Sequence, residues 1–357
     1  MKQILSFLAL FLVLTSGKTF AQNKDDAFQF NFNKLKPIVQ VFGTASYDVE
    51  NDFSDYSIGR AHLGFQYEFS EKWSAKLIVD RGRPTHIGPI TVTDIEGNEL
   101  LVQSNTKEGS YYTMFLKFAS LRWKVNRNLS FEGGAILQNH YITQEKFWGL
   151  RYVAQTFQDK YWKISSTDLG FIARYKINGS IALDAAVTNG EGSRVHQDKY
   201  GKVKYAAGID FTPSSSIQSR ICYHSKQSGQ NQAKTEQMFS AFLGLHITPK
   251  MKLGGEYNYM SNLNNIDDLN SYGYSVYSNY KIGRKTLLFG RYDRLLNDLP
   301  QNQNNHLPVA DGHSVIGGVS YAPVKRVNVS VNYQGWIADE ASGSDENRIV
   351  FSMAFNL

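Results

Sequence analysis

The chain has 357 residues and a formal charge of +6, of which Lys2 and Lys18 fall in the first eighteen residues and leave +4 on the remainder. A charge this small, scattered along the whole length, excludes a nucleic-acid-binding role, and a lone cysteine, Cys222, excludes a disulfide framework or a cysteine-built metal cluster. Twenty-one Tyr, 22 Phe and 29 Gly against 8 Pro describe a β-rich chain with many aromatics and tight turns.

In chain order, the first element is a leader. Lys2, the apolar stretch 4–14 interrupted only by Ser6, and the small residues Thr19 and Ala21 form an export signal, with cleavage expected after Ala21 and a mature start at Gln22. The apolar stretch is about half of the ~20 residues a membrane-crossing helix needs. About fifteen residues then precede the first strand, too few for the folded plug domain of a gated receptor. No later apolar run has helical transmembrane length, which leaves a soluble β-protein or a membrane barrel whose strands hide their hydrophobicity by alternating.

Leu63, Phe65, Tyr67 and Phe69 alternate with His62, Gln66 and Glu68, the period-two pattern of a strand with one apolar face. Residues 138–168, QNHYITQEKFWGLRYVAQTFQDKYWKISSTD, break that pattern. Phe147, Leu150, Ala154, Phe157 and Tyr161 recur at helical intervals with Lys146, Arg151, Gln155, Asp159 and Lys160 between them, which predicts a short amphipathic helix. Strand alternation then returns at Val203, Tyr205, Ala207, Ile209 and Phe211, at Val327, Val329, Val331 and Tyr333, and at Ile349, Phe351, Met353, Phe355 and Leu357. Alternation alone does not say whether those faces meet a core or lipid.

The connections decide. Short turns are expected at 70–72, 125–128, 178–179, 212–215, 248–250, 282–285 and 322–326, and longer polar loops at 49–55, 82–109, 140–167, 190–199, 226–234, 262–270, 297–311 and 338–346. Seven turns alternating with eight loops give sixteen strands. Sorting of short and long connections to opposite ends is the signature of a transmembrane barrel, and a sandwich has no reason to show it. Aromatics agree, with Tyr67, Phe69, Trp73, Trp123, Tyr175, Phe211, Tyr280 and Tyr321 near turns and Tyr47, Tyr111, Tyr223, Tyr272 and Trp336 near loops, as two interfacial girdles would be. The fold expected is all-β: a 16-stranded antiparallel transmembrane β-barrel spanning 22–357. Its partly helical loop at about 140–167 folds into the water-filled lumen as a constriction.

Several stretches carry a resemblance: IGRAHLGFQYEFSEKWSAKLIVD at 58–80, FWGLRYVAQTFQDKYWKISSTDLG at 147–170, AAVTNGEG at 185–192, KYAAGIDFTP at 204–213, LLFGRYDRL at 287–295 and IGGVSYAPVKRVNVSVNYQ at 316–334. Together they resemble the phosphate-selective porin (porin O and P) family and its general-porin relatives in Gram-negative outer membranes. The resemblance implies a sixteen-stranded outer-membrane porin, usually a homotrimer, with an inward-folded loop lining the pore. Two departures stand out. The chain ends in Leu357 where such barrels commonly end in Phe, with Phe355 on the same face to meet the barrel-assembly machinery, and no dense array of arginines and lysines stands out in the sequence.

If apolar faces look outward, the opposite faces place Arg60, His62, Lys76, Arg174, Lys176, Lys204, Arg220 and Arg291 in the lumen, together with Glu68, Asp80, Glu132, Asp184, Asp210, Glu256 and Asp293. Opposed charges of this kind set a transverse field across a pore, or pair across strands and stabilise the wall. The expected selectivity residues are Arg60, Lys76, Lys146, Arg151, Lys160, Arg174, Lys204, Arg220 and Arg291. Phe147, Trp148, Tyr152, Phe157, Tyr161 and Trp162 are expected to pack the loop against the wall rather than form a slide for sugars. The function expected is passive diffusion of small hydrophilic solutes and ions with a weak anion preference, without cofactor or catalysis.

Rival readings find less support. Asp311, His313 and Ser314 cluster in sequence, but neighbours on a strand point to opposite faces, so His313 and Ser314 do not form a hydrolase pair. No histidines fall at metal-ligand spacing. Asn189-Gly190-Glu191-Gly192 reads as a strand-ending turn. An adhesin acting through its outer loops is the alternative, and the inward loop argues against a purely structural role.

Overall fold

The structure, a computed structural model, describes residues 30–82, 90–93, 99–102, 113–138, 140–192, 200–229, 233–299, 309–339 and 344–357. The expected leader and Tyr111 lie outside the described residues. The chain divides into Met1–Lys34, whose described part ends in a 3-10 turn at Phe32–Lys34, and Leu35–Leu357, which holds the barrel.

The strands are β1 (Leu35–Asp48), β2 (Phe53–Glu68), β3 (Trp73–Gly82), β4 (Ile90–Thr93), β5 (Glu99–Val102), β6 (Thr113–Lys124), β7 (Leu129–Leu137), β8 (Thr167–Lys176) and β9 (Ile181–Thr188). They continue with β10 (Lys204–Ser214), β11 (Ile217–Lys226), β12 (Glu236–Thr248), β13 (Met251–Ser261), β14 (Asn270–Lys281), β15 (Thr286–Asp298), β16 (Gly312–Tyr321), β17 (Val327–Ala338) and β18 (Glu346–Asn356). Strands β4 and β5 pair only with each other, inside the connection between β3 and β6. The other sixteen form one closed antiparallel barrel, sealed where β1 meets β18 from Gln40 opposite Asn356 to Asp48 opposite Arg348. Closure leaves no unpaired edge, the condition for a sheet to cross a bilayer.

Exposure resolves what alternation left open. Leu63, Phe171, Val331 and Ile349 are more than half exposed, whereas Ser275, Asp293 and Ser352 on inward-facing positions are fully buried. An apolar surface around a polar interior is the inverse of a soluble sandwich and matches a barrel in lipid. Trp73 and Trp123 stand opposite each other on β3 and β6 and stack at 5.6 Å beside a short turn, part of one aromatic girdle. Trp336 is not part of the other: it faces inward, 5.6 Å from Tyr161.

Six expected turns sit where the sequence places them, and the seventh is displaced, because β10 runs on to Ser214 and pairs it with Ile217. The first expected long loop is a tight turn instead. Only residues 49–52 separate β1 from β2, closed by the Asp48 carboxylate accepting from the Glu50 and Asn51 amides. A run of Asp, Asn and Glu reads as an open loop, but the same side chains close turns by bonding their own backbone.

Candidate functional site: the loop-lined lumen

Residues 138–166 leave the wall after β7 and return at β8. In place of one amphipathic helix they form two short ones, α1 (Ile142–Trp148) and α2 (Phe157–Tyr161). The break is Gly149, held in the left-handed region at φ 72°, which a side chain disfavours.

Every apolar residue of the expected helix is buried all the same, against the inner wall. Phe147 packs on Phe242, Trp148 on Tyr277 and Phe289, and Tyr152 on Phe42, in a cluster that also takes in Leu150, Ala154 and Ile316. A second cluster sets Phe157, Tyr161 and Trp162 among Met238, Met260, Leu263, Leu269 and Leu295. Trp162 donates to Ser271 Oγ at 2.8 Å and Tyr161 to Asp293 at 2.8 Å. The six aromatics thus anchor the loop.

Wall side chains also take up the carbonyls that the broken helix leaves open. Lys252 donates to the Phe147 and Trp148 oxygens, Asn279 to Trp148 at 2.9 Å, Gln334 to Val153 at 3.0 Å and Arg291 to Gln155 at 2.5 Å. Such oxygens have no partner within a helix, and the cationic Lys252 and Arg291 also suit the negative end of the peptide dipoles. The loop therefore lies along the inner face of β11–β18 and reaches β1 at Phe42.

Its opposite surface carries Glu145, Lys146, Arg151 and Asp159. Arg151 bridges the two helices, to Glu145 at 2.9 Å and Asp159 at 2.6 Å. Lys146 is exposed and makes no ion pair among the described residues. This surface faces β2, β3 and β6, for the charges of Arg151, Glu145 and Asp159 act on Arg60, that of Arg151 also on Lys117, and that of Lys146 on Lys76.

The remaining expected residues fall into two groups. Arg174 pairs with Glu132 at 2.7 Å, Lys204 with Asp168 at 3.5 Å, Arg220 with both Asp184 and Asp210 at 2.8 Å, and Arg291 with Asp293 at 2.6 Å. Lys160 donates to Ser314 at 2.9 Å and lies 3.5 Å from Asp293; burial pulls its ammonium down to about 8, with Asp293 opposing. Among the described residues Arg60 and Lys76 have no carboxylate in ion-pair range: Arg60 donates to Gln40 and sits over the Phe42 ring at 5.0 Å, and Lys76 sits over Phe118 at 4.7 Å. Of the other lumen assignments, Lys176 lies exposed at the end of β8, Glu68 pairs with Lys36 at the turn rim, and Glu256 is buried under α2, accepting from the Phe157 amide.

Sequence reasoning missed Lys117, Arg122 and Lys252. Lys117 shares Asp80 with His62, at 2.6 and 3.2 Å; the register slips between Ile78 and Val79 there, and a bulge shifts the alternation by one residue. Arg122 follows ordinary alternation and was legible; its Nη2 reaches Ser130 Oγ at 3.4 Å and its Nε has no partner among the described residues. His313 faces outward against Tyr292 and Ser314 inward, so they do not meet. Among the described residues no group of three or more His, Cys, Asp or Glu is placed to hold a metal ion.

No family model matches the chain, and no curated protein matches it. Solved structures do. The outer membrane channel DcaP of Acinetobacter baumannii is similar at 16% identity and a TM-score of 0.59, covering 90% of this chain and 97% of that one. Salmonella typhi OmpF (10%, TM-score 0.64) and Pseudomonas putida OprB (10%, 0.63) each cover 90% of this chain and 97% and 94% of their own. At these identities the likeness is one of fold: the chain is a closed sixteen-stranded barrel of the kind these outer-membrane proteins share.

Proposed function

We propose that the barrel is an outer-membrane channel for passive diffusion of small hydrophilic solutes and ions, with the loop at 140–167 as its constriction and a preference for anions. The observation that carries the preference is the wall facing the loop's charged surface. In the middle of the wall, β2, β3, β6, β7 and β8 carry Arg60, Lys76, Lys117, Arg122 and Arg174 against Asp80 and Glu132, while Asp55 and Asp168 lie at the strand ends and Asp168 pairs with Lys204. On the packed side Arg220 is neutralised by two aspartates and Arg291 by Asp293, and Lys252 is taken up by loop carbonyls; on the open side the cations outnumber the carboxylates. An uncompensated positive wall raises the local concentration of anions. Arg60, Lys76 and Lys146 carry most of this role, with Arg151 and Arg174 shaping the field, while Lys160, Lys204, Arg220 and Arg291 hold the scaffold.

The same reading takes the protein to the outer membrane through a leader cleaved after Ala21, and to a homotrimer there. Phe355, on the outward apolar face of β18, would present the assembly signal. The test is the reversal potential of the purified protein in a planar bilayer under a KCl gradient, repeated with phosphate. Stepwise conductance with a potential of the sign set by chloride supports the reading, and block by phosphate narrows the anion to an oxyanion. A cation-selective potential removes the anion preference. A folded, heat-modifiable barrel with no conductance overturns the channel.

A further inference from the structure

Behind the tail of the inward loop, at the long-loop end of β10–β13, lies a cavity of about 150 Å³. It has room for a small solute and not only for a single water. Its polar lining is mostly satisfied. Lys204 pairs with Asp168 at 3.5 Å; His224 meets Glu236 at 3.3 Å, and Glu236 also accepts from the Asn264 amide at 2.9 Å. Lys163 donates to the Lys160 carbonyl at 2.6 Å.

Two further lining charges, one of each sign, have no ion-pair partner among the described residues. Lys226 makes no ion pair or side-chain hydrogen bond among the described residues, and Glu191 makes none either, with its Oε2 shielded from solvent and unpartnered. They border the same cavity and yet do not pair with each other. The backbone between them is fixed. The Asp168 carboxylate accepts from the Gly190 and Gly192 amides at 2.9 and 3.1 Å, pinning the turn that carries Glu191. Gly190 has φ 90°, and a Cβ there would lie 3.3 Å from Lys226 Cγ, so the bare glycine lets the lysine stem lie against the turn. His224, almost fully buried at the cavity, leaves Nδ1 without a partner. The charge of Lys226 reaches Glu236 without an ion pair; a charged group with no hydrogen-bonding partner at a partly buried site is costly, and a ligand bearing both charges gives Lys226 and Glu191 one each.

We propose that this recess binds a small zwitterion of the α-amino-acid type, its carboxylate on Lys226 and its ammonium on Glu191. The site lies off the loop surface facing β2, β3 and β6, and the proposal does not depend on ion selectivity. The test is calorimetric titration of the full-length folded protein at low ionic strength with glycine, acetate and methylammonium. Glycine is expected to bind saturably, and the two single-charge analogues at least about tenfold more weakly, since each forgoes one charge-assisted contact. Lys226→Gln and Glu191→Gln are each expected to lose glycine binding about tenfold or more, while retaining heat-modifiability and conductance in KCl. Acetate binding as well as glycine would make the recess a plain anion site and overturn the proposal. So would glycine failing to saturate, or folded variants that bind it unchanged.

Discussion

The two halves of the lumen wall are built from strands with the same alternation and differ in what their inward residues are. Under the loop, β12–β16 present Phe242, Ser271, Ser275, Tyr277, Asn279, Phe289 and Ile316, all buried. Facing the loop's charged surface, β2–β8 present Arg60, Lys76, Lys117, Arg122, Glu132 and Arg174. Dehydration under a packed loop selects apolar groups and short polar ones that find a partner, and the charges that appear there are bound: Arg291 to Asp293, Glu256 to the Phe157 amide, and Lys252 to the Phe147 and Trp148 carbonyls. Where water remains, unpaired charge is tolerated. The inner face of a strand therefore reports what covers it.

Removing the loop is the most direct way to break this contrast. Deleting 143–160 should produce the largest effect, a marked rise in single-channel conductance, because the barrier across the lumen goes while the closed wall stays. The exposed Phe242, Tyr277, Phe289 and Ile316 should also lower the yield of folded barrel. Conductance unchanged by the deletion would mean that the loop does not set the constriction.

Point changes on the packed side come next. Trp148 is fully buried, and Trp148→Ala should cost the docked loop about 3–5 kcal/mol. Asp293 accepts from Arg291, Tyr161 and Ser275; Asp293→Ala leaves Arg291 buried and unpaired, at a similar cost of about 3–5 kcal/mol. Both should appear as open-channel noise and as loss of heat-modifiability at lower temperature, with selectivity little changed. On the open side the pattern should reverse. A unit charge about 4 Å from an ion in water is worth about 1 kcal/mol, so Arg60→Gln with Lys76→Gln should lower the anion-to-cation permeability ratio about fivefold or more, with quiet channels and unchanged thermal behaviour.

Much of this was legible in the sequence, for identifiable reasons. Strand parity and turn chemistry are local, so the sixteen strands follow from the alternation of short and long connections, and the inward side of Arg60, Glu132 and Arg291 follows from period two once the apolar faces are turned to lipid. Helical periodicity likewise found the buried face of the loop at Phe147, Leu150, Ala154, Phe157 and Tyr161. It missed the break at Gly149, because what replaces the helical hydrogen bonds of Trp148, Val153 and Gln155 comes from Asn279, Gln334 and Arg291, more than a hundred residues away. Pairing was equally hidden. Arg60 and Arg220 look alike along the chain, yet Arg220 meets aspartates on β9 and β10 and Arg60 pairs with none among the described residues.

The last expected effect depends on pH and concerns Lys160, which belongs to the packed side and titrates near working pH. Its docked ammonium falls to about 8 through burial, against 10.5 for the free side chain. Above about pH 10.5 the side chain is neutral whether the loop is docked or free, and docking carries no proton penalty. As pH falls from there toward 8, the free loop takes up the proton first, so docking weakens; below about 8 both states are charged and the penalty is constant. Docking should therefore tighten, and open-channel noise fall, as pH rises from 8 to about 10.5. Lys160→Met removes the titrating group and should flatten that slope while leaving Arg291 and Asp293 paired. A slope that survives the substitution would place the titration elsewhere and separate Lys160 from the docking of α2.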